Sequence, residues 1–187
     1  MAFIDEIADP QIRHVFKFWL AHWRPGRLPL RKEIDPAALP PACLPHLFLY
    51  RLERDGRLRY LLVSTAIVKV LGRDNTGDYL DEVLTGRAGA RRLRLNHRVV
   101  EEGMPLYFSG PAFSHTDERR RVERLMLPVS SDGKACDHVF GIARYGPPLV
   151  DITDEPWLTA EEDPAKIWVA SEDDLLHGNC EPEGATG

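Results

Sequence analysis

The residues able to do chemistry in this chain are few and widely spaced. Cys43, Cys136 and Cys180 contain no CxxC pair, so they give neither a zinc spacing nor a disulfide framework. His14 and His22 share one segment but are not helical neighbours, and His46, His115, His138 and His177 are scattered. A metal site needs clustered ligands, and none is assigned. Ser64-Thr65 and Ser109 have no evident partner base, and no GxSxG, GxGxxG or phosphate-loop motif occurs. The chain is therefore not expected to be an enzyme. His97 differs from the other histidines because it lies on the apolar stripe of a predicted helix. There a neutral imidazole could ligate iron, line a pocket, or be satisfied by a backbone carbonyl. Two arginine runs, Arg91-Arg92 with Arg94 and Arg98, and Arg119-Arg120-Arg121 with Arg124, could meet nucleic acid or an anionic second messenger. A solvated face paired with the acidic tail, or with Glu101 and Glu118, is the simpler reading. No aromatic residues interleave these arginines, which counts against single-strand stacking.

The elements that must position these residues follow from pattern. Asp9-Pro10 is a helix start, and Ile12, Val15, Phe16, Trp19, Leu20 and Trp23 then form one apolar stripe up to Pro25-Gly26. That stripe either packs on the protein's own sheet or makes a dimer contact. Five prolines between residues 27 and 46 exclude a long helix, and Ile34, Leu39 and Leu44 can anchor an ordered connector. Strand formers at 47–52 and 58–63 flank Asp55-Gly56, a hairpin signal. Short helices are expected at 65–71, ended by Gly72, and at 79–84. A loop at 86–89 precedes a longer helix at 90–102, ended by Gly103. Leu93, His97 and Val100 mark its inward stripe, flanked by Asn96 and Val99, with Arg91, Arg94 and Arg98 opposite. Three more strands are expected at 106–113, 121–129 and 138–145, with Asp132-Gly133 turning between the last two.

Composition bounds the class. The chain has 187 residues, 43% hydrophobic and 28% charged, which suits one well-buried soluble domain with extensions. No apolar run reaches the ~20 residues of a membrane span, and MAFIDEIADP is not a secretory signal. The cytoplasm is the expected location. The net charge of −5 is uneven: residues 147–187 hold eleven Asp/Glu and one Lys, leaving an excess of positive charge before them. An acidic tail competes for any basic patch, which disfavours nucleic acid as the main partner. Within the tail, Trp157 and Ile167-Trp168-Val169 are apolar islands that can return to the domain, and residues from about 172 are expected to be disordered. The resulting division is an N-terminal amphipathic helix (1–26), a central domain (27–146) and an acidic tail (147–187). Hairpin-linked strands interrupted by helices predict an α+β fold: a five-stranded antiparallel sheet with helices on one face and a pocket between them.

Over about residues 28–146 the chain resembles PAS domains, in particular a bacterial family of small single-PAS proteins. The resemblance rests on LRYLLVSTAIVKVLGRDNTGDYLDEVL (58–84), EEGMPLYFSG (101–110) and VERLMLPVSSDGKACDHVFGIARY (122–145). Gly72-Arg73, Thr76-Gly77, Leu127-Pro128 and Asp132-Gly133 fit the family pattern. Ser64-Thr65 departs from a Gly-Thr step, where glycine would permit a close backbone approach. The resemblance implies a sensory or signalling role, with a ligand or cofactor in the sheet–helix pocket or with docking alone, and it does not imply catalysis. Haem-binding PAS domains place an axial histidine where His97 stands, but nothing else in the sequence supports haem, so no cofactor is assigned. No flavin-binding cysteine motif is visible. No output domain fits in the remaining residues, so a signal would leave through a protein partner or a change of oligomer.

The leading expectation is a cytoplasmic PAS-type sensor holding a small ligand. Pocket candidates by stripe and strand parity are Tyr60, Leu62, Ile67, Leu71, Leu93, His97, Val100, Met126 and Phe140. Parity is sensitive to a one-residue slip. The alternative is a ligand-free docking or homodimerisation module acting through Ile12, Phe16, Trp19, Leu20 and Trp23. A basic-face binder of nucleotide or nucleic acid is third.

Overall fold

The computed structural model describes residues 2–113, 119–148 and 165–177. The predicted hairpin forms, with β1 (Leu47–Leu52) antiparallel to β2 (Leu58–Val63). The later strands are β3 (Leu106–Phe113), β4 (Arg119–Val129) and β5 (His138–Pro148). Their sheet order is β2-β1-β5-β4-β3, extended by β6 (Lys166–Val169) on β3, and all neighbours are antiparallel. The α+β antiparallel fold is as expected, and the sixth strand is new. It comes from the tail's Ile167-Trp168-Val169 island, and the Trp168 ring stacks on Tyr107 at 5.2 Å.

β2 lies at one edge and β3 beyond the sheet centre, so the chain between them must cross a face. That crossover is α2 (Thr65–Leu71), α3 (Leu80–Val83) and α4 (Gly86–Glu102). Beneath it lies one apolar layer, containing Phe48, Tyr50, Tyr60, Ile67, Leu80, Val99, Phe108 and Met126. α4 starts earlier than its sequence suggested, taking in the expected 86–89 loop. A Cβ at Gly89 would lie 2.6 Å from the Leu84 carbonyl carbon, so a glycine lets the first turn fold back over that residue.

The opposite face is covered by α1 (Pro10–His22). Asp9 caps it by accepting from the Gln11 and Ile12 amides at 2.8 and 3.2 Å. Ile12, Phe16, Trp19, Leu20 and Trp23 are at most 4% exposed, and the Trp19 indole donates to the Pro128 carbonyl at 2.8 Å. The stripe offered as a dimer contact is therefore spent inside its own chain, because two tryptophans and a phenylalanine bury more apolar area here than an exposed helix could shed. The connector is ordered as expected, but Ile34, Leu39 and Cys43 anchor it, while Leu44 is 37% exposed. It is stitched to the end of β4 through Leu30 and Ser130.

Residues expected to be disordered include one more helix, α5 (Glu172–His177). Ser171 Oγ accepts from the Asp174 amide and Asp174 Oδ2 from the Ser171 amide, a reciprocal cap. Leu175 is buried, and Asp174 Oδ1 accepts from the Phe3 amide, so both ends of the described chain meet on the α1 face. Trp157, Cys180 and residues 178–187 lie outside the described residues.

Candidate functional site

Between the crossover helices and the sheet lies a cavity of about 700 Å³. It is lined by Leu71 of α2, by Val83 to Gly86 with Ala88 and Gly89, by Arg91, Arg92 and Leu95 of α4, and on the sheet side by Phe108, Val122, Met126 and Tyr145 of β3, β4 and β5. The walls are mainly apolar, with a cluster of arginine and tyrosine at the floor.

Of the sequence candidates, Leu71 and Met126 line the cavity. Tyr60, Ile67, Leu93 and Val100 belong to the same apolar layer without lining it. Leu62 and Phe140 face the other way, into the layer under α1. The reason for Leu62 is a β-bulge: Leu49 pairs with Leu62 but Tyr50 pairs with Tyr60, so Leu61 is extra and alternation breaks between Tyr60 and Leu62. Phe140 pairs with Leu127 and shares its face, one residue out of phase with Met126. Opposite Met126 stands Gly141, where a Cβ would lie 2.4 Å from Phe48 Cζ and 2.1 Å from the Leu125 carbonyl oxygen. Ser64, where the family resemblance led us to look for glycine, has an ordinary extended backbone (φ −78°) ahead of α2.

The inward face of α4 is turned by about one residue from the predicted stripe. Asn96 and Val99 are its buried positions, and His97 is half-buried and off the cavity wall. Arg92 shares the inward face one turn before Asn96, whose side-chain amide donates to the Arg92 carbonyl. Arg91, expected on the outer face, instead reaches the cavity, with its guanidinium 5.1 Å from the Phe108 ring centre. Arg94 and Arg98 do face solvent, and Arg98 pairs with Glu102.

The two arginine runs thus do not make one solvated face. Arg124 is 5% exposed and lines the cavity with Arg92. Arg92 Nη2 donates to the Tyr50 hydroxyl and Arg124 Nη2 to the Tyr145 hydroxyl, each at 2.6 Å. Tyr50 stacks on Phe48 and meets Tyr60 edge-on, which makes an aromatic base for the two cations. Burial, and then the neighbouring Arg92 charge, hold the Arg124 guanidinium below its usual range. Burial alone would raise the Tyr145 hydroxyl, but Arg124 and Arg92 together bring it below the usual tyrosine value. Arg124 was legible in the sequence: it alternates with Val122 and Met126 on β4, and Met126 was already a pocket candidate. Charge hid it, because arginine in a run reads as surface.

Among the described residues, no group of three or more His, Cys, Asp or Glu could hold a metal ion, and no helix is long and apolar enough to cross a membrane. Cys43 and Cys136 are buried free thiols.

No curated protein matches the chain. Solved structures of VqmA are similar to part of it. The Vibrio cholerae VqmA dimer in the absence of target DNA aligns at 14% identity and TM-score 0.44, over 55% of this chain and 46% of that one. A VqmA–ligand–DNA complex aligns at 16% and 0.45, over 55% and 46%. VqmA bound to DPO aligns at 17% and 0.43, over 57% and 52%. The chain therefore spans about half the length of these structures. A PAS domain family model matches residues 7–144, well over half of the chain and taking in α1 as well as β1 to β4 and most of β5, and the chain belongs to the PAS domain family.

Proposed function

We propose that this protein is a cytoplasmic sensor that binds a small molecule between α2–α4 and the sheet and passes the signal to a protein partner, with no catalysis of its own. The observation that carries this reading is the cavity. At about 700 Å³ it is in the size range of small-molecule sites, roughly 300–1,000 Å³, with apolar walls and a few convergent polar groups. Its roof is built from two short helices and the start of α4, joined by loops, while its floor is a continuous sheet. A ligand that favours one arrangement of the roof over another would shift the population presented to a partner. Any homodimer would use a surface other than the α1 stripe, which is buried.

The test is a thermal-shift screen of small molecules on the wild type and on Ala112→Trp, which places an indole at a wall position. Compounds that raise the wild-type melting temperature and lose that effect in Ala112→Trp, at unchanged melting temperature of the free variant, support the reading. A screen in which every hit stabilises both proteins equally rejects it.

A further inference from the structure

We infer that the cavity is built for an organic anion: a carboxylate or phosphate head held between Arg92 and Arg124, with an apolar body lying along the helices. This rests on the reading of the cavity as a ligand site and adds the ligand's chemical class.

The two guanidinium groups come from different elements, α4 and β4, and both line one cavity. Their side-chain hydrogen-bond partners are the tyrosine hydroxyls of Tyr50 and Tyr145 rather than carboxylates. Among the described residues, neither arginine forms an ion pair with a carboxylate and no Asp or Glu lines the cavity. The Nε donors of both are buried and without a hydrogen-bond partner. Buried charges are ordinarily paired, and two like charges brought together in a low-dielectric space raise each other's cost. An anion supplies what both cations lack. A guanidinium also presents a planar fork that matches carboxylate and phosphate oxygens. Thr85 and Gly86 at the N-terminal end of the 17-residue α4 line the same cavity, and the positive end of that helix adds to the field. Leu71, Val83 and Leu95 offer apolar surface in the same cavity, which suits the body of an amphipathic ligand.

The experiment is isothermal titration calorimetry with decanoate, decyl phosphate and decan-1-ol, which share one apolar body and differ at the head. Each is titrated into wild type, Arg124→Met and Arg92→Met, with folding checked by circular dichroism. The expected result is at least tenfold tighter binding of one or both anions than of decan-1-ol by the wild type. Each methionine variant reduces that preference to threefold or less and leaves decan-1-ol binding within about twofold. The ratio between decanoate and decyl phosphate identifies the preferred head. Two variants are used so that misfolding of one leaves the other informative. If decan-1-ol binds as tightly as the anions and the variants change neither, the cavity reading stands and the anion inference is overturned. If none of the three binds at 1 mM, both fall.

Discussion

Replacing Trp19 with alanine separates a core helix from an interaction helix. Trp19 is 0% exposed, and its indole N–H reaches the Pro128 carbonyl at 2.8 Å from the middle of α1. A buried aromatic of this size hides roughly 200 Å², worth about 5 kcal/mol at ~25 cal/mol per Å². Truncations of this type cost about 3–5 kcal/mol, and loss of the hydrogen bond adds about 1 kcal/mol. Trp19→Ala should therefore lose about 4–6 kcal/mol, a large share of the roughly 5–15 kcal/mol that holds a domain together. Trp19→Phe keeps most of the apolar area, loses the indole donor, and should cost about 1–2 kcal/mol. The assay is urea unfolding followed by far-ultraviolet circular dichroism at two protein concentrations tenfold apart. A core helix gives the large loss with the same midpoint at both concentrations. A loss below about 1 kcal/mol, with a midpoint that rises with protein concentration, would refute the placement of α1 as the cover of its own sheet.

Gly141→Ala should cost about 1–3 kcal/mol, since the new methyl collides with both Phe48 and the Leu125 carbonyl; denaturant midpoints check this, and an unchanged midpoint contradicts the close crossing. Stability should also fall on the alkaline side. Burial pushes the Tyr60 hydroxyl up to about 12 from 10, partly offset by the Arg92 charge, so the folded state keeps a proton that the unfolded chain releases. That contribution is whole below pH 10 and is lost as pH rises through about 12, up to roughly 3 kcal/mol. Burial likewise raises Cys136 from 9 to about 12, so its loss begins near pH 9. Tyr60→Phe should lose less stability than wild type between pH 9 and 11.5; parallel pH curves would show that Tyr60 is not the group responsible. Leu175→Ala should cost about 2–3 kcal/mol and release hydrogen-exchange protection in β6 before β1 and β2. Simultaneous loss of protection across the sheet would show that the returning strand is not a separate unit.

Local signals carried most of the fold. The β1–β2 hairpin appears at its predicted limits because Asp55-Gly56 suits a tight turn, with Gly56 at φ +81°. Asp9-Pro10 starts α1, and Gly103 stops α4 in a left-handed conformation. The reciprocal cap of α5 was also present as Ser171 and Asp174 ahead of two leucines, but the acidic composition around it read as disorder. The candidate site was harder to read. Two of the nine pocket candidates line the cavity, four lie in its layer, two face away, and His97 stands off its wall.

By itself the sequence determined the limits of α1, β1, β2 and α2 and the end of α4, because caps, turns and apolar periods act within a few residues of each other. It determined the PAS resemblance for the same reason, since those motifs are local and ordered. Which side chains face the cavity was decided only by the tertiary structure. One extra residue at Leu61 reverses the face of Leu62, and a small rotation of α4 replaces His97 with Arg92 on the inward side. Neither leaves a mark in the composition of its own segment. Strand pairing also brings Lys166–Val169 back to β3 from about sixty residues away, at a distance that turn and cap chemistry does not reach. The convergence of Arg92 and Arg124 is of the same kind: each is an ordinary surface residue in its own run, and they line one cavity, Arg124 buried and Arg92 half-buried, only when α4 is laid across β4.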